Sequence, residues 1–267
     1  MNLQSLRSEF LGICVGNSST RLGTFAGGTL TDSHIAANSD PTAVAQMLDQ
    51  ALADLDRGGE PAAVIATVNP DQSSRIDAQL RGRLSNRLFH VEEDLPIPIG
   101  RQLDPEAIIG QDRLLNAAAA YEVLQQACVV VDAGTAITVD YIDGAGTYHG
   151  GAIAPGVRLM LEALHAGTAQ LPRITWQKPR EPIGHNTTEA IRTGIFHCLR
   201  GLVHEMVEQY ATIAGAFPMV VVTGGDSPML FKDDPLVDRR IPHLTLLGIG
   251  VTVRVATGNG PGRNGAP

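Results

Sequence analysis

The chain has 267 residues, 43% of them hydrophobic and 18% charged, with a formal net charge of −8. This is enough apolar material for one large or two medium domains, and it excludes a globally disordered chain. The acidic balance, with no cluster of Lys or Arg, argues against nucleic acid or an anionic membrane surface as a partner.

Three cysteines, Cys14, Cys128 and Cys198, stand far apart with no CxxC, which disfavours both a disulfide framework and a thiolate zinc site. The opening "MNLQSLRSEF" lacks the apolar core of a signal peptide, and no 18-residue apolar run exists for a membrane span. A cytoplasmic protein is expected. "HEMVE" at 204–208 resembles a zinc-protease motif but lacks its second histidine.

Along the chain, Leu11 to Val15 is a short apolar strand running into Gly16, Asn17, Ser18, Ser19 and Thr20, and "RLGTFAGGTLT" suggests hairpin partners. A helix opens at Asp40, with Asp as N-cap, Pro at the first helical position and apolar recurrence near 3.6. "AAVIATV" (62–68) is a continuous apolar run suited to a strand buried on both faces, "RLFHV" (87–91) is another strand, and a helix starts at Asp112. The first half thus reads β-β-α-β-α-β-α, an α/β domain. The second half begins "CVVVDAGTAITVDYIDGAGTYHGGAIAPG" (128–156): a buried strand, a Gly turn, an alternating strand, a second Gly-containing turn and a third strand. A helix follows from Val157 to about Ala166. Asn186 then opens a long amphipathic helix, with Glu189 completing a capping-box pattern and Ile191, Ile195, Leu199, Leu202, Val203, Met206 and Tyr210 on one face. "MVVVTGG" is a further buried strand ending in a turn, and the Gly- and Pro-rich tail is expected to be mobile.

The organisation rests on a repeat. "ICVGNSST" and "VVDAGTAIT" share a strand with the same spacing, Cys14–Gly16–Thr20 in one copy and Asp132–Gly134–Thr138 in the other. Gly turns let backbone N–H groups approach phosphate oxygens, and Ser or Thr hydroxyls add donors; the alternative for each turn is a plain β-hairpin. Asp132 ends a strictly apolar run, where a carboxylate is costly unless paired or bound to a cation. In "GQDRL" (110–114), Asp112 suits either the helix dipole or a general base that accepts a hydroxyl proton during phosphoryl transfer, and Arg113 suits a carboxylate or phosphate. "TGGD" (223–226) fits a Gly-Gly contact beneath a nucleoside, or a tight turn.

The ordered set "VGN", "GQDR", "DAGTAIT", "GGAIAPG", "IGHNTTEAIRTG" and "VVVTGGD" resembles the type III pantothenate kinase family over residues 11–250. The resemblance implies an actin/sugar-kinase-like α/β fold of duplicated RNase H-like halves with an ATP cleft between them, the halves falling at 1–116 and 117–256 with a flexible tail at 257–267. It implies ATP-dependent phosphorylation of pantothenate, the first step toward coenzyme A, by a homodimer using Mg2+ and a monovalent cation (K+ or NH4+). By position, Asp112 resembles the proton acceptor, Gly110, Gln111, Asp112 and Arg113 the pantothenate-contacting segment, and Thr187 a further pantothenate contact. Cys14, Val15, Gly16, Asn17, Ser18, Ser19, Thr20 and Arg21 resemble the first ATP loop, Thr135 another ATP contact, and Asp132 the monovalent-cation ligand.

Three positions, in two segments, depart from the family. Its first loop reads DxGNT, and here the Asp is Cys14 and the Thr is Ser18; a thiol is a poor ligand for magnesium. A tyrosine seven residues before Gly110 is Leu103 here. A non-catalytic nucleotide-binding relative, and a kinase of this fold for another small alcohol, are the alternatives these departures raise.

Overall fold

The computed structural model describes residues 3–56 and 61–258. In chain order the elements are β1 (Glu9–Val15), β2 (Ser19–Ala26), β3 (Thr29–Ala37), α1 (Pro41–Asp56), β4 (Ala63–Thr67), α2 (Pro70–Leu84) and β5 (Leu88–His90). There follow β6 (Gly100–Arg101), α3 (Gln111–Leu124), β7 (Cys128–Ala133), β8 (Ala136–Ile142), β9 (Thr147–Pro155), α4 (Val157–Ala166) and α5 (Thr187–Ala214). The chain closes with β10 (Met219–Thr223), α6 (Ser227–Phe231), β11 (Arg239–Arg240) and α7 (Leu244–Ala256). Residues 259–267 of the expected tail lie outside the described residues.

Two compact units emerge. The first holds residues up to Ile99, Glu106–Glu122 and the chain from Leu244 onward; the second holds Gly100–Pro105 and Val123–His243. The sheet of the first unit has the order β3-β2-β1-β4-β5, with β1–β2 and β2–β3 antiparallel and β1–β4 and β4–β5 parallel. The sheet of the second repeats it as β9-β8-β7-β10-β11, with the same alternation of directions and β6 added at the β9 edge. The duplication expected from two Gly turns is therefore a duplication of strand order.

The repeat differs in one detail from its sequence spacing. In the first unit Val15 pairs with Thr20, so the turn spans Gly16 to Ser19. In the second, Ala133 pairs with Ile137, so the turn spans only Gly134 to Ala136. The equal spacing to Thr thus hides a one-residue longer first turn, and the strand partner of Cys14 is Arg21, whereas that of Asp132 is Thr138.

The central strands explain themselves physically. β1 and β7 are flanked on both sides by other strands and covered on both faces, so "FLGICV" and "CVVV" are apolar without alternation. Leu11, Ile13 and Val15 of β1 pack with Leu48 and Leu52 of α1 and Ile76 and Leu80 of α2. In the second unit Val129, Val131, Val139 and Val220 meet Ile191, Ile195, Leu199 and Val203 of α5. Asp40 caps α1 as expected, accepting the Ala43 N–H at 3.0 Å. Leu202 and Met206 of the expected α5 face are partly buried, and Phe196 and Val207 complete it.

Helix α7 was not foreseen. "LTLLGIGVTVRVA" is apolar nearly all round, and the helix is buried along most of its length, so no stripe marks it. It packs in the first unit, with Ile249 against Gly12 of β1 and Leu246 against Gly23 of β2.

Candidate functional site

In the first unit the β1–β2 turn is clasped from the end of β3. Asn38 donates from Nδ2 to the Gly16 carbonyl at 2.8 Å and the Asn17 carbonyl at 3.3 Å, and its N–H reaches the Ser18 carbonyl at 3.0 Å. The Ser19 carbonyl accepts the Gly16 N–H at 3.0 Å. The carbonyl oxygens of Gly16, Asn17, Ser18 and Ser19 are thus all engaged within this corner. Thr20 is fully buried, and its hydroxyl donates to Asn38 Oδ1 at 2.8 Å, so it braces the turn from inside. Gly16, Ser18 and Ser19 are half-buried and Asn17 is exposed. Nothing in the sequence marked Asn38, because its partners, three carbonyls and the Thr20 hydroxyl, lie some twenty residues earlier.

Cys14 is buried in β1 beside Arg21 of β2 and Ala66 of β4, and Val15 points into the helix-covered core of this unit. Arg21 acts electrostatically on Asp112, so the first loop and the "GQDR" segment converge. Asp112 opens α3. Its Oδ1 accepts the Arg113 N–H at 2.8 Å and packs so tightly on Gly110 that a Cβ there would lie 2.6 Å from it. Burial pushes the Asp112 carboxyl above its ordinary value, against the opposing pull of the Arg113 N–H and the Arg113 and Arg21 charges. Arg113 is itself buried. Gln111 is tied down: its Oε1 accepts the Thr67 N–H at 2.9 Å, and its Nε2 donates to the Val91 carbonyl at 3.1 Å. It therefore anchors the start of α3 to the ends of β4 and β5.

In the second unit three chain segments meet at Asp132. The Gly156 N–H donates to the Thr135 carbonyl at 3.0 Å, and the Asp226 N–H donates to the Ala133 carbonyl at 3.0 Å. Gly224 has φ +92°, and a Cβ there would lie 2.3 Å from the Ala133 carbonyl and 2.5 Å from Asp132 Oδ1. A Cβ on Gly156 would lie 2.2 Å from the Gly134 carbonyl. Only residues without a side chain permit this approach, which is why "GGAIAPG" and "TGGD" read as they do. The half-buried Asp132 carboxylate is packed between Gly134 and Gly224.

Asp226 is a residue that sequence reasoning passed over. It precedes α6 without capping it through its side chain, and burial raises its carboxyl above the ordinary value. The "TGGD" spacing drew attention to the glycines, and the acid after them carried no separate signal.

Thr187 is the exposed first residue of α5, held by its N-cap: Asn186 Oδ1 accepts the Glu189 N–H at 3.0 Å. The return bond of the capping box goes one residue further, from the His185 N–H to Glu189 Oε2 at 3.0 Å. Thr187 shares a cavity of about 780 Å3 with Pro155, Met160, Leu164 and Ile191. Pro155 is the residue before Gly156, so this cavity begins next to the Asp132 turn. Leu103 lies against Gly150.

Two units with RNase H-like strand order, each with a Gly turn after its first strand, define an actin/sugar-kinase-like ATPase fold. Solved structures share it: (R)-2-hydroxyglutaryl-CoA dehydratase component A from Acidaminococcus fermentans (TM-score 0.55, 13% identity, 94% of this chain and 99% of that one). The ethanolamine utilization protein EutJ from Carboxydothermus hydrogenoformans is a second (TM-score 0.53, 14% identity, 91% of this chain and 89% of that one). At the sequence level, residues 10–209 match the family model for type III pantothenate kinase. The type III pantothenate kinase of Rhodospirillum rubrum is 38% identical over 74% of this chain and 77% of its own length. That of Paramagnetospirillum magneticum is 33% identical over 90% and 94%. The chain belongs to the type III pantothenate kinase family.

The Asp112 environment predicts a stability effect. A carboxyl whose folded pKa is raised binds its proton more tightly in the folded state, so stability falls as pH rises from the unfolded value near 3.8 through the raised one. Above that window the folded chain carries the full cost of a buried charge. Asp112→Asn keeps the acceptor for Arg113 N–H and removes the charge, so its melting temperature at neutral pH should equal or exceed that of the unsubstituted chain, with the difference vanishing in acid. Thermal melts at pH 3 to 8 check this; a variant that is less stable at neutral pH contradicts it.

Proposed function

We infer that this chain transfers the γ-phosphoryl group of ATP to pantothenate, giving 4′-phosphopantothenate, the first step of coenzyme A biosynthesis. Besides family membership, the observation that carries this reading is the "GQDR" corner: a half-buried carboxyl with a raised pKa, packed on Gly110 and flanked by two arginines. In the reaction Asp112 accepts the proton of the pantothenate hydroxyl as that oxygen attacks the γ-phosphorus, and the bond to ADP breaks. A raised pKa makes Asp112 a stronger base than an ordinary aspartate, and because it must be ionised to act, the rate rises with pH through that pKa. Arg113 suits the carboxylate of pantothenate, and Gln111 positions the segment. Gly110 allows the base to sit close to the backbone, and Thr187 is offered as a further substrate contact.

Gly16 to Ser19, with their carbonyls turned to internal partners, suit the anionic phosphates of ATP, assisted by Arg21. Thr135, in the turn packed against Gly156, suits the same ligand. Asp226 is a natural reader of nucleoside hydroxyl or amino groups. Asp132, a half-buried carboxylate beside the Gly turn, suits a monovalent cation such as K+ or NH4+, which would supply positive charge beside the phosphates. Mg2+ fits less well: Cys14 presents a buried thiol where a hard oxygen is needed, and among the described residues no group of three or more His, Cys, Asp or Glu is placed to hold a metal ion. Magnesium is therefore assigned to the oxygens of the nucleotide and to water, not to position 14. A homodimer and a cytoplasmic location are inferred from family membership, and no described helix is long and apolar enough to cross a membrane. We place the protein in the cytoplasm.

Purified protein incubated with ATP, Mg2+, K+ and a panel of small alcohols should phosphorylate pantothenate in preference to the others, as read by mass spectrometry. Asp112→Asn should lower kcat by about 10²–10⁴-fold with ATP binding nearly unchanged; a loss below about tenfold removes Asp112 as the base. Replacing K+ by Na+ should depress the rate, and a full rate in sodium alone sinks the assignment of Asp132.

Cys14→Asp tests the loop. A carboxylate at that position should lower the magnesium requirement, with the gain confined to saturating metal because the new charge otherwise repels the triphosphate. Magnesium titrations of both proteins, each with a melting curve, decide this. An equally folded variant with an identical magnesium profile removes this loop from the phosphates.

A further inference from the structure

The second unit carries another cavity, of about 420 Å3, walled by Tyr141, Asp143, His149, Gly150, Tyr210 and Ile213. It lies toward the other end of β8 and β9 from the Asp132 turn: Gly150 is six residues before Gly156, about 20 Å along a strand. Its construction is specific. β8 and β9 pair regularly from Ala136↔Pro155 to Tyr141↔Gly150, and then the register breaks, Ile142 pairing with Tyr148 and leaving His149 as an inserted residue. Such a bulge kinks the strand and re-aims a side chain. Gly150, at φ +92°, supplies the backbone conformation that the kink needs. The His149 ring comes to 5.5 Å from that of Tyr141, which in turn stacks on Tyr210 at 5.6 Å.

The polar atoms of this wall are unevenly satisfied. Asp143 Oδ1 accepts the N–H groups of Ala145 and Thr147, both at 2.9 Å, and Oδ2 lies 2.8 Å from His149 Nε2. Both carboxylate oxygens are thus used, and Nε2–H is the donor to one of them, which leaves His149 Nδ1 as an acceptor. The Tyr210 hydroxyl donates to the Val139 carbonyl at 3.2 Å. The Tyr141 hydroxyl, on a residue only 8% exposed, has no hydrogen-bond partner among the described residues, and neither has His149 Nδ1. The Tyr141 hydroxyl is not closed off: it opens onto the cavity, where it is accessible to an occupant. The walls are flat rings and an aliphatic side chain, Asp143 disfavours an anion, and no carboxylate oxygen is spare for a cation.

We propose that this cavity binds a small, neutral, planar heteroaromatic compound that donates a hydrogen bond to His149 Nδ1 and accepts one from the Tyr141 hydroxyl. Nicotinamide and cytosine have this chemistry. Leu103, where the family has a tyrosine, packs on the same Gly150. Competition by pantothenate therefore has to be measured.

The test is a titration of the full chain, labelled with 15N in its histidine side chains, with nicotinamide and then cytosine. His149→Gln assigns the resonance. A saturable shift of the His149 signals that persists at saturating ATP and pantothenate is expected, and Tyr141→Phe should weaken it about fivefold while leaving melting temperature and kcat unchanged. Three results overturn the proposal: no saturable shift at millimolar probe, which leaves an ordered water as the only occupant; equal binding by Tyr141→Phe; or displacement of the probe by pantothenate, which makes the cavity part of the substrate site.

Discussion

A carboxylate at the end of a buried strand is expensive, and the second unit is arranged around that cost. Asp132 follows three valines in β7, the central strand of its sheet, and is itself half-buried. Gly224 and Gly156 bring two other chain segments against this turn at distances that no side chain tolerates. The turn after β9 and the turn after β10 both press backbone against the turn that follows Asp132. Stability alone does not ask for this, since an apolar residue at the same place removes the burden.

The same logic recurs in the first unit with different parts. Asp112 is half-buried on Gly110, and the two arginines near it offset its desolvation only in part. The duplicated strand order gives the two units equivalent turns, yet they have diverged. One ends its strand in Asp132 and closes a three-residue turn; the other ends in Cys14 and closes a four-residue turn fastened by Asn38. The two turns thus differ in charge: an acid stands before one and a thiol before the other.

Much of the scaffold was legible in the sequence because its signals are local. Asp40 and Asn186 cap their helices within three residues, α4 occupies the span expected from Val157 to Ala166, and the valine runs mark strands with two covered faces. The glycines of "TGGD" were readable as a turn, though not as the reason three segments could meet. What escaped was whatever depends on distant partners. Asn38 has no motif; it matters because β3 ends beside the first turn. Asp226 looked like part of a turn until its backbone bond to Ala133 placed it beside Asp132. The equal spacing of the two Thr residues misled, because a one-residue difference in turn length is invisible until strands are paired.

By itself, then, the sequence determined the secondary elements, the duplication and the chemical inventory: two acids, a set of Gly turns, and a thiol where an acid is expected. These are written in periodicity and spacing, which act over a few residues. The tertiary structure alone decided which groups carry perturbed charge and which are spent on scaffolding. Gln111 and Thr20 turned inward to backbone and to Asn38, and Arg21 came within electrostatic reach of Asp112. α7 returned to the first unit from the far end of the chain. Burial and pairing depend on which strands lie side by side, and that is fixed by long-range packing rather than by any neighbour in the sequence.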